Sequence, residues 1–496
     1  MLSLELVMFP LVTNIKMNNR LLRIPQRYFA YFALSLWGAL SYMLLNKTLY
    51  GIDEGAARAL LLVWSVAEDV VSPIVTLGLP DFRAIFFVPV GYLWVGNIVA
   101  AKIFSMLVMS CAVWAIYRWR QRSGDSEGAL LATGLLLISP LLIDQIDTIS
   151  VAPYLLITFA LGAWLEQNYR ESPHAFGGMY FSQMFLCMVS VTLHPIGLAY
   201  PLVLLWTWYR NPSDAKHKNY FFGGITFVVI FALLLTLGWN HTEWFTNPIR
   251  SLSSLLSGPP STEDTGIFRW ISGFVMFVIL LLVIWKQAGK LWADFLGLTL
   301  LVALIIGLFT GDEAWSIIAL TICLYWGLPL LLPTRTNWSS GFWGQRGLAM
   351  LLIFILSTAF MLVDKAHYQM VQAGYLSPRD SLIKALAEDS GNFLNDETSQ
   401  NPPSKKPVRV ASQWPGLTML ACRCDALPLP PAAKDSEALL AMLRGVNYLI
   451  FDPRDPVNSS LSHNLATMEA GKVETVALQS GGVIVEIKSP PPVQKP

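Results

Sequence analysis

Apolar runs of about 16 to 20 residues, near the length that crosses a bilayer, recur along this chain, and the loops joining them alternate in charge. The runs fall at approximately 28–45, 100–117, 128–143, 150–165, 178–193, 196–209, 221–238, 269–285, 293–310, 314–332 and 347–363. One set of connections holds Lys16, Arg20, Arg23 and Arg27, then Arg118, Arg120 and Arg122, then Arg170, Arg210, Lys216, Lys218, Lys286, Lys290, Arg335 and Arg346. The short opposite loops, IDQIDTI, LHP and GDEAW, hold no Lys or Arg. Basic residues collect on the cytoplasmic side, so residues 1–27 are expected inside. About eleven spans, an odd number, would carry the C-terminal tail outside. The reading is an all-α polytopic membrane protein over 28–363 with a small C-terminal α/β domain.

Composition agrees. Only 14% of the residues are charged and 54% are apolar, with a mean hydropathy of +0.50, where soluble domains carry roughly 25% charge. A net charge of +1 gives no basic surface for nucleic acid. Three outer features follow: loops at 46–99 and 239–268, and the tail. Charge and proline rise after Val363, and 364–406 reads as a linker that includes NDETSQNPPSKKP. In 407–496, VRVAS and NYLIF read as strands, DSEALLAMLRG as a helix with an Asp start and a Gly stop, and KVETVAL with GVIVEIK as a hairpin.

The first outer loop opens with LYGIDEGAARALL. Asp53 and Glu54 precede an amphipathic run whose Leu60, Val63, Trp64 and Ala67 share one helical face. An acid there can serve as a helix cap. It can also serve as a general base on an acceptor hydroxyl or amine at the membrane boundary, with the second acid orienting the acceptor or holding the first in place. If the donor is a phosphate-linked lipid, a cation must meet the leaving phosphate. Arg83, in PDFRAIFFVPVGYLWVG, is the nearest outer candidate, and snorkelling to headgroups is its alternative role.

These features resemble the GT-C-type membrane glycosyltransferases that use polyprenyl-phosphate sugars, in the protein mannosyltransferase and aminoarabinose-transferase branch. Asp53-Glu54 is similar to the acidic pair of that family's first outer loop. Pro89-Val90-Gly91-Tyr92 is similar to its Pro-Leu-Gly-Tyr-like segment, YRWRQR to its basic inner end, and GDSEGALLATGLLLISP to its third span. The resemblance covers roughly residues 28 to 210. Where the aminoarabinose branch carries a phosphate-binding lysine this chain has Phe87 and Val88, so that role would pass to Arg83.

The resemblance implies transfer of a sugar from a polyprenyl-phosphate carrier to a glycolipid, polysaccharide or protein acceptor on the periplasmic face. It implies a multi-pass inner-membrane protein in contact with membrane lipids. Asp53 is the leading catalytic candidate and Glu54 the second. Candidate substrate contacts are Arg83, Tyr92, Asp144, Asp147, His194, His241 and Glu243. Asp144 and Asp147 would share a helical face, as donor contacts, as holders of a divalent ion with the acidic pair, or as the wet end of a hairpin. His194 stands at an outer span end, and His241 and Glu243 open the second outer loop, a candidate lid. No soluble cofactor is required, and a divalent metal is the one cofactor left open. A lipid or sugar transporter is the competing class, disfavoured by few charges within spans and no clear internal repeat. A catalytically silent scaffold of the same layout is the third reading.

Overall fold

The computed structural model describes residues 26–67, 83–122, 126–171, 176–210, 222–230, 266–310, 314–328, 345–374, 376–389, 408–422, 424–468, 473–479 and 482–488. The helices of the N-terminal part are α1 (Gln26–Leu44), α2 (Glu54–Ala67), α3 (Ala84–Leu93), α4 (Ile98–Arg122), α5 (Ser126–Leu137), α6 (Pro140–Asp147), α7 (Ala152–Glu171), α8 (Phe176–Leu193), α9 (Ala199–Arg210), α10 (Gly266–Ala293), α11 (Phe295–Thr310), α12 (Ala314–Ile322) and α13 (Gln345–Gln372). Among the described residues, α4 alone is long and apolar enough to cross a membrane by itself.

The run expected at 128–143 is not one straight helix. Its two halves, Gly128–Leu137 and Pro140–Asp147, are bent by 53°. Pro140 is the cause: it cannot donate into a continuing helix, and it holds Ser139 in an extended conformation (φ −75°, ψ 128°). The bend carries α6 sideways, so its C-terminal end meets α4 and α13.

The tail begins with α14 (Pro378–Asp389). Then come β1 (Arg409–Ser412), α15 (Pro415–Cys422), β2 (Asp425–Pro428), α16 (Ser436–Met442), β3 (Tyr448–Phe451), α17 (Ser459–Ala466), β4 (Val473–Gln479) and β5 (Gly482–Ile487). The five strands lie in the order β2-β1-β3-β5-β4. The first three are parallel, and β5 runs antiparallel to both β3 and β4.

Strand alternation decides which face of this sheet looks where. Val410, Ile450 and Ile484 join one continuous apolar core with Leu382, Leu386, Leu417 and Leu420 of α14 and α15, and with the N-terminal helices. Their neighbours Ala411, Leu449, Phe451 and Val485 face the other way, onto Leu439 of α16, Leu443 just after it and Leu461 of α17. The sheet therefore presses α15, with α14 packed on it, against α2, which brings the tail onto the loop carrying Asp53.

Candidate active site

Asp53 is the N-cap of α2. Its Oδ1 accepts the Ala56 N–H at 2.9 Å, so the capping role holds. The same carboxylate is gripped by Arg83, which donates from Nη1 to Oδ2 at 2.5 Å and from Nη2 to Oδ1 at 3.1 Å. This two-point geometry fixes both direction and distance. The Arg83 side chain is 7% exposed and that of Asp53 33%. The result is a buried cation beneath a carboxylate with one open edge.

Two carbonyls complete the cradle. Thr148 accepts the Asp53 backbone N–H at 2.9 Å, and Ile149 accepts from Arg83 Nη1 at 3.2 Å. Ile149 has φ of 53° and is the one non-glycine residue among those described in the left-handed region. A β-branched residue pays about 1–3 kcal/mol there. The turn after α6 thus offers one carbonyl to each member of the pair. Arg83 reaches it because α3 lies tight on α2: a Cβ on Gly91 would sit 2.2 Å from Val63 Cγ1. The glycine of the Pro-Val-Gly-Tyr segment is required by that approach.

Glu54, the second catalytic candidate, has both carboxylate oxygens engaged. Its Oε1 accepts from Arg58 Nε at 2.8 Å and from the Gly416 N–H at 2.7 Å, and its Oε2 accepts the Leu417 N–H at 3.0 Å. Both oxygens are turned toward the tail. Around it, Gly51 N–H donates to Asp380 Oδ2 at 3.1 Å and Arg379 Nη2 donates to the Ile52 carbonyl at 3.1 Å. Burial, then the nearby Cys422, Glu388 and Asp380, pushes the Tyr50 phenol up to about 12.

The start of the loop is held by a second cluster. Lys102, fully buried on α4, donates to the Asn46 carbonyl at 2.7 Å and lies 3.7 Å from Asp147 Oδ1. Asp147 Oδ1 accepts the Asn46 N–H at 2.9 Å, and Oδ2 contacts His367 Nε2 at 3.1 Å. Asp147 is therefore not the wet end of a hairpin. It is buried on α6 with both oxygens engaged, and half-buried Asp144 stands one turn before it. Among the described residues, no three His, Cys, Asp or Glu side chains gather as they would around a metal ion.

His367 lies beyond the outer end of the run expected at 347–363. Burial would lower the pKa of its ring. The hydrogen bond and charge of Asp147, backed by Asp144 and Asp364, outweigh that and raise it above the ordinary 6.5. With the folded value raised, the contact's contribution is complete below pH 6.5 and fades as pH climbs through the folded value. The thermal midpoint of the full-length chain in detergent should fall from pH 6.5 to 9, and His367→Gln should flatten that part of the curve. Parallel curves for the two proteins would remove His367 from the account.

The remaining candidates do not join the pair by any contact described. Tyr92 is 68% exposed, about 13 Å along α3 from Arg83 at a helical rise of 1.5 Å per residue. His194 begins the short turn Pro195–Leu198, its Nδ1 accepting the Ile196 N–H at 3.2 Å. His241 and Glu243 lie outside the described residues. Sequence reasoning missed Lys102, Asp380, Gly416 and His367. Lys102 alone left a signal, as the one basic residue inside the run 100–117.

No family model and no curated protein matches the chain by sequence. Solved structures do. ArnT from Cupriavidus metallidurans in the apo state aligns with a TM-score of 0.54 at 11% identity, covering 93% of this chain and 97% of that one. The same protein bound to undecaprenyl phosphate aligns at 0.50 and 13% identity with the same coverage. The archaeal oligosaccharyltransferase AglB from Archaeoglobus fulgidus, in complex with an inhibitory peptide and a dolichol-phosphate, aligns at 0.52 and 11% identity, covering 86% of this chain and 70% of that one. A tight turn of two carbonyls, a capping acid and a buried arginine therefore sit in a chain whose fold is similar to those of ArnT and the oligosaccharyltransferase AglB.

Proposed function

We propose that this protein is an integral membrane glycosyltransferase that moves a sugar from a polyprenyl-phosphate carrier to a glycolipid, polysaccharide or protein acceptor on the periplasmic face. One observation carries the reading: the Asp53–Arg83 pair, a carboxylate with an open edge on a buried guanidinium. The arrangement supplies the two groups the reaction needs, side by side. Both structural relatives bound to a lipid carrier hold a polyprenyl-type phosphate. The charge alternation supports an outer location for the pair.

In the resting protein the Asp53 carboxylate is occupied by the Arg83 guanidinium. Donor phosphate competes for the same guanidinium. As Arg83 turns to the phosphate, Asp53 is released to take the proton of an acceptor O–H or N–H. The acceptor atom then bonds to the anomeric carbon as the bond to the phosphate oxygen breaks. The electron pair leaves with the polyprenyl phosphate, whose growing negative charge Arg83 stabilises. A single displacement inverts the anomeric centre. Asp147 acts in this scheme through the loop it holds, and Asp144, Tyr92, His194, His241 and Glu243 are kept for acceptor and lipid contacts.

Undecaprenyl phosphate itself tests the phosphate site. The full-length chain should bind it in detergent, and Arg83→Met should weaken binding at least tenfold, as expected for loss of a buried charge-assisted contact worth about 1.5–3 kcal/mol. Equal binding by the two proteins, or none by wild type, would reject this reading.

A further inference from the structure

Glu54 sits at the first position of α2, where an acid suits the helix dipole. Its carboxylate also sits at the N-terminus of a second helix, α15 of the tail, accepting the Gly416 and Leu417 N–H groups at 2.7 and 3.0 Å. One carboxylate at the start of α2 therefore closes the first turn of α15 and joins the two helices. Arg58, one turn along α2, adds a third donor at 2.8 Å. The fit leaves no spare room. A Cβ on Gly416 would meet Glu54 Oε1 and Arg58 Cγ, each at 2.9 Å.

The joint does not act alone. Asp380 and Arg379 of α14 take the Gly51 N–H and the Ile52 carbonyl, and Ile52 is fully buried. Residues 51, 52 and 54 are thus tied to the tail, while the Asp53 N–H is tied to Thr148 of the membrane part. Asp53 is suspended between the two.

We propose that Glu54 is a positioning residue through which the C-terminal sheet unit forms a wall of the active site and sets the aim of Asp53. The inference rests on the reading of Asp53 as the base. It assigns the tail a part in turnover that holds whichever acceptor is used.

Transfer from a polyprenyl-phosphate-linked sugar by the full-length chain tests it, together with amide hydrogen exchange over residues 50–58 and 412–420. Glu54→Gln and Gly416→Ala should each lower kcat by about 10- to 100-fold, the scale of a misplacement near 1 Å. KM for the lipid donor and the acid limb of the pH–rate profile should stay in place. The double variant should be no slower than the slower single, because both break one joint. Exchange at Gly416→Ala and Glu54→Gln proteins should quicken on both sides of the contact.

Loss of activity in Glu54→Gln with full activity in Gly416→Ala would put Glu54 in the chemistry itself and overturn the proposal. Faster exchange with unchanged kcat would overturn it too, since the joint would then hold the fold and not the aim. An Asp53→Asn protein of full activity would sink the base assignment, while the exchange result would still report on the joint.

Discussion

Asp53→Asn is expected to leave the chain folded and to cut sugar transfer by about 10²- to 10⁴-fold, the range that general-base catalysis contributes. The substitution separates the two roles of this residue. Asparagine keeps a side-chain oxygen for the Ala56 N–H and ranks beside aspartate as a helix cap, so α2 persists. What is lost is the proton affinity and the charge that faces Arg83. The same variant should bind undecaprenyl phosphate more tightly than wild type, because the guanidinium no longer has a competing carboxylate. Tighter binding with lost turnover is a combination that misfolding does not produce. Arg83→Met should show the opposite order, with binding lost first. Wild-type turnover in Asp53→Asn would end the assignment, whatever the binding result.

Asp53 is legible in the sequence because its signals are local: an acid at the end of an apolar run, followed by an amphipathic helix. Arg83 carries the charge that a partner of Asp53 needs, but it stands 30 residues away and the contact itself is seen only in the structure. The architecture follows from the same two patterns, since apolar runs and period-2 alternation place most of the helices and tail strands. What stays hidden is contact across long separations. Nothing around Glu54 announces that its partners are the N–H groups of Gly416 and Leu417, more than 360 residues on. Backbone donors carry no side-chain signature, and Gly416 reads as an ordinary turn residue until the approach of Arg58 and Glu54 is seen. The bend at Pro140 is written in the chain as a Ser-Pro pair, yet it is outweighed there by the unbroken hydrophobicity on either side. That bend is what takes Asp147 out of water and delivers Thr148 and Ile149 to the pair.

Lys102→Met should be the most destabilising single change in the membrane part outside the apolar core. Lys102 is 0% exposed, and its ammonium holds the Asn46 carbonyl while facing Asp147. Methionine fills a similar volume, so the effect isolates charge from packing. Breaking a buried pair by removing one partner costs about 3–5 kcal/mol, because the other charge stays behind without compensation. Here the charge left behind is Asp147, which keeps the Asn46 N–H on Oδ1 and His367 on Oδ2, so the loss should fall at the lower end of that range. Asn46 begins the loop that ends at Asp53, so the loop loses its anchor at the same time. Adding Asp147→Asn should recover part of the loss, since the amide oxygen still accepts the Asn46 N–H without leaving a bare carboxylate in the core. Thermal midpoints of the wild type, both singles and the double complete the cycle. Recovery in the double identifies the penalty as an unpaired buried charge. Simple addition of two losses would mean that Lys102 and Asp147 support the loop independently, and the cluster would no longer be the unit that sets where the catalytic segment starts.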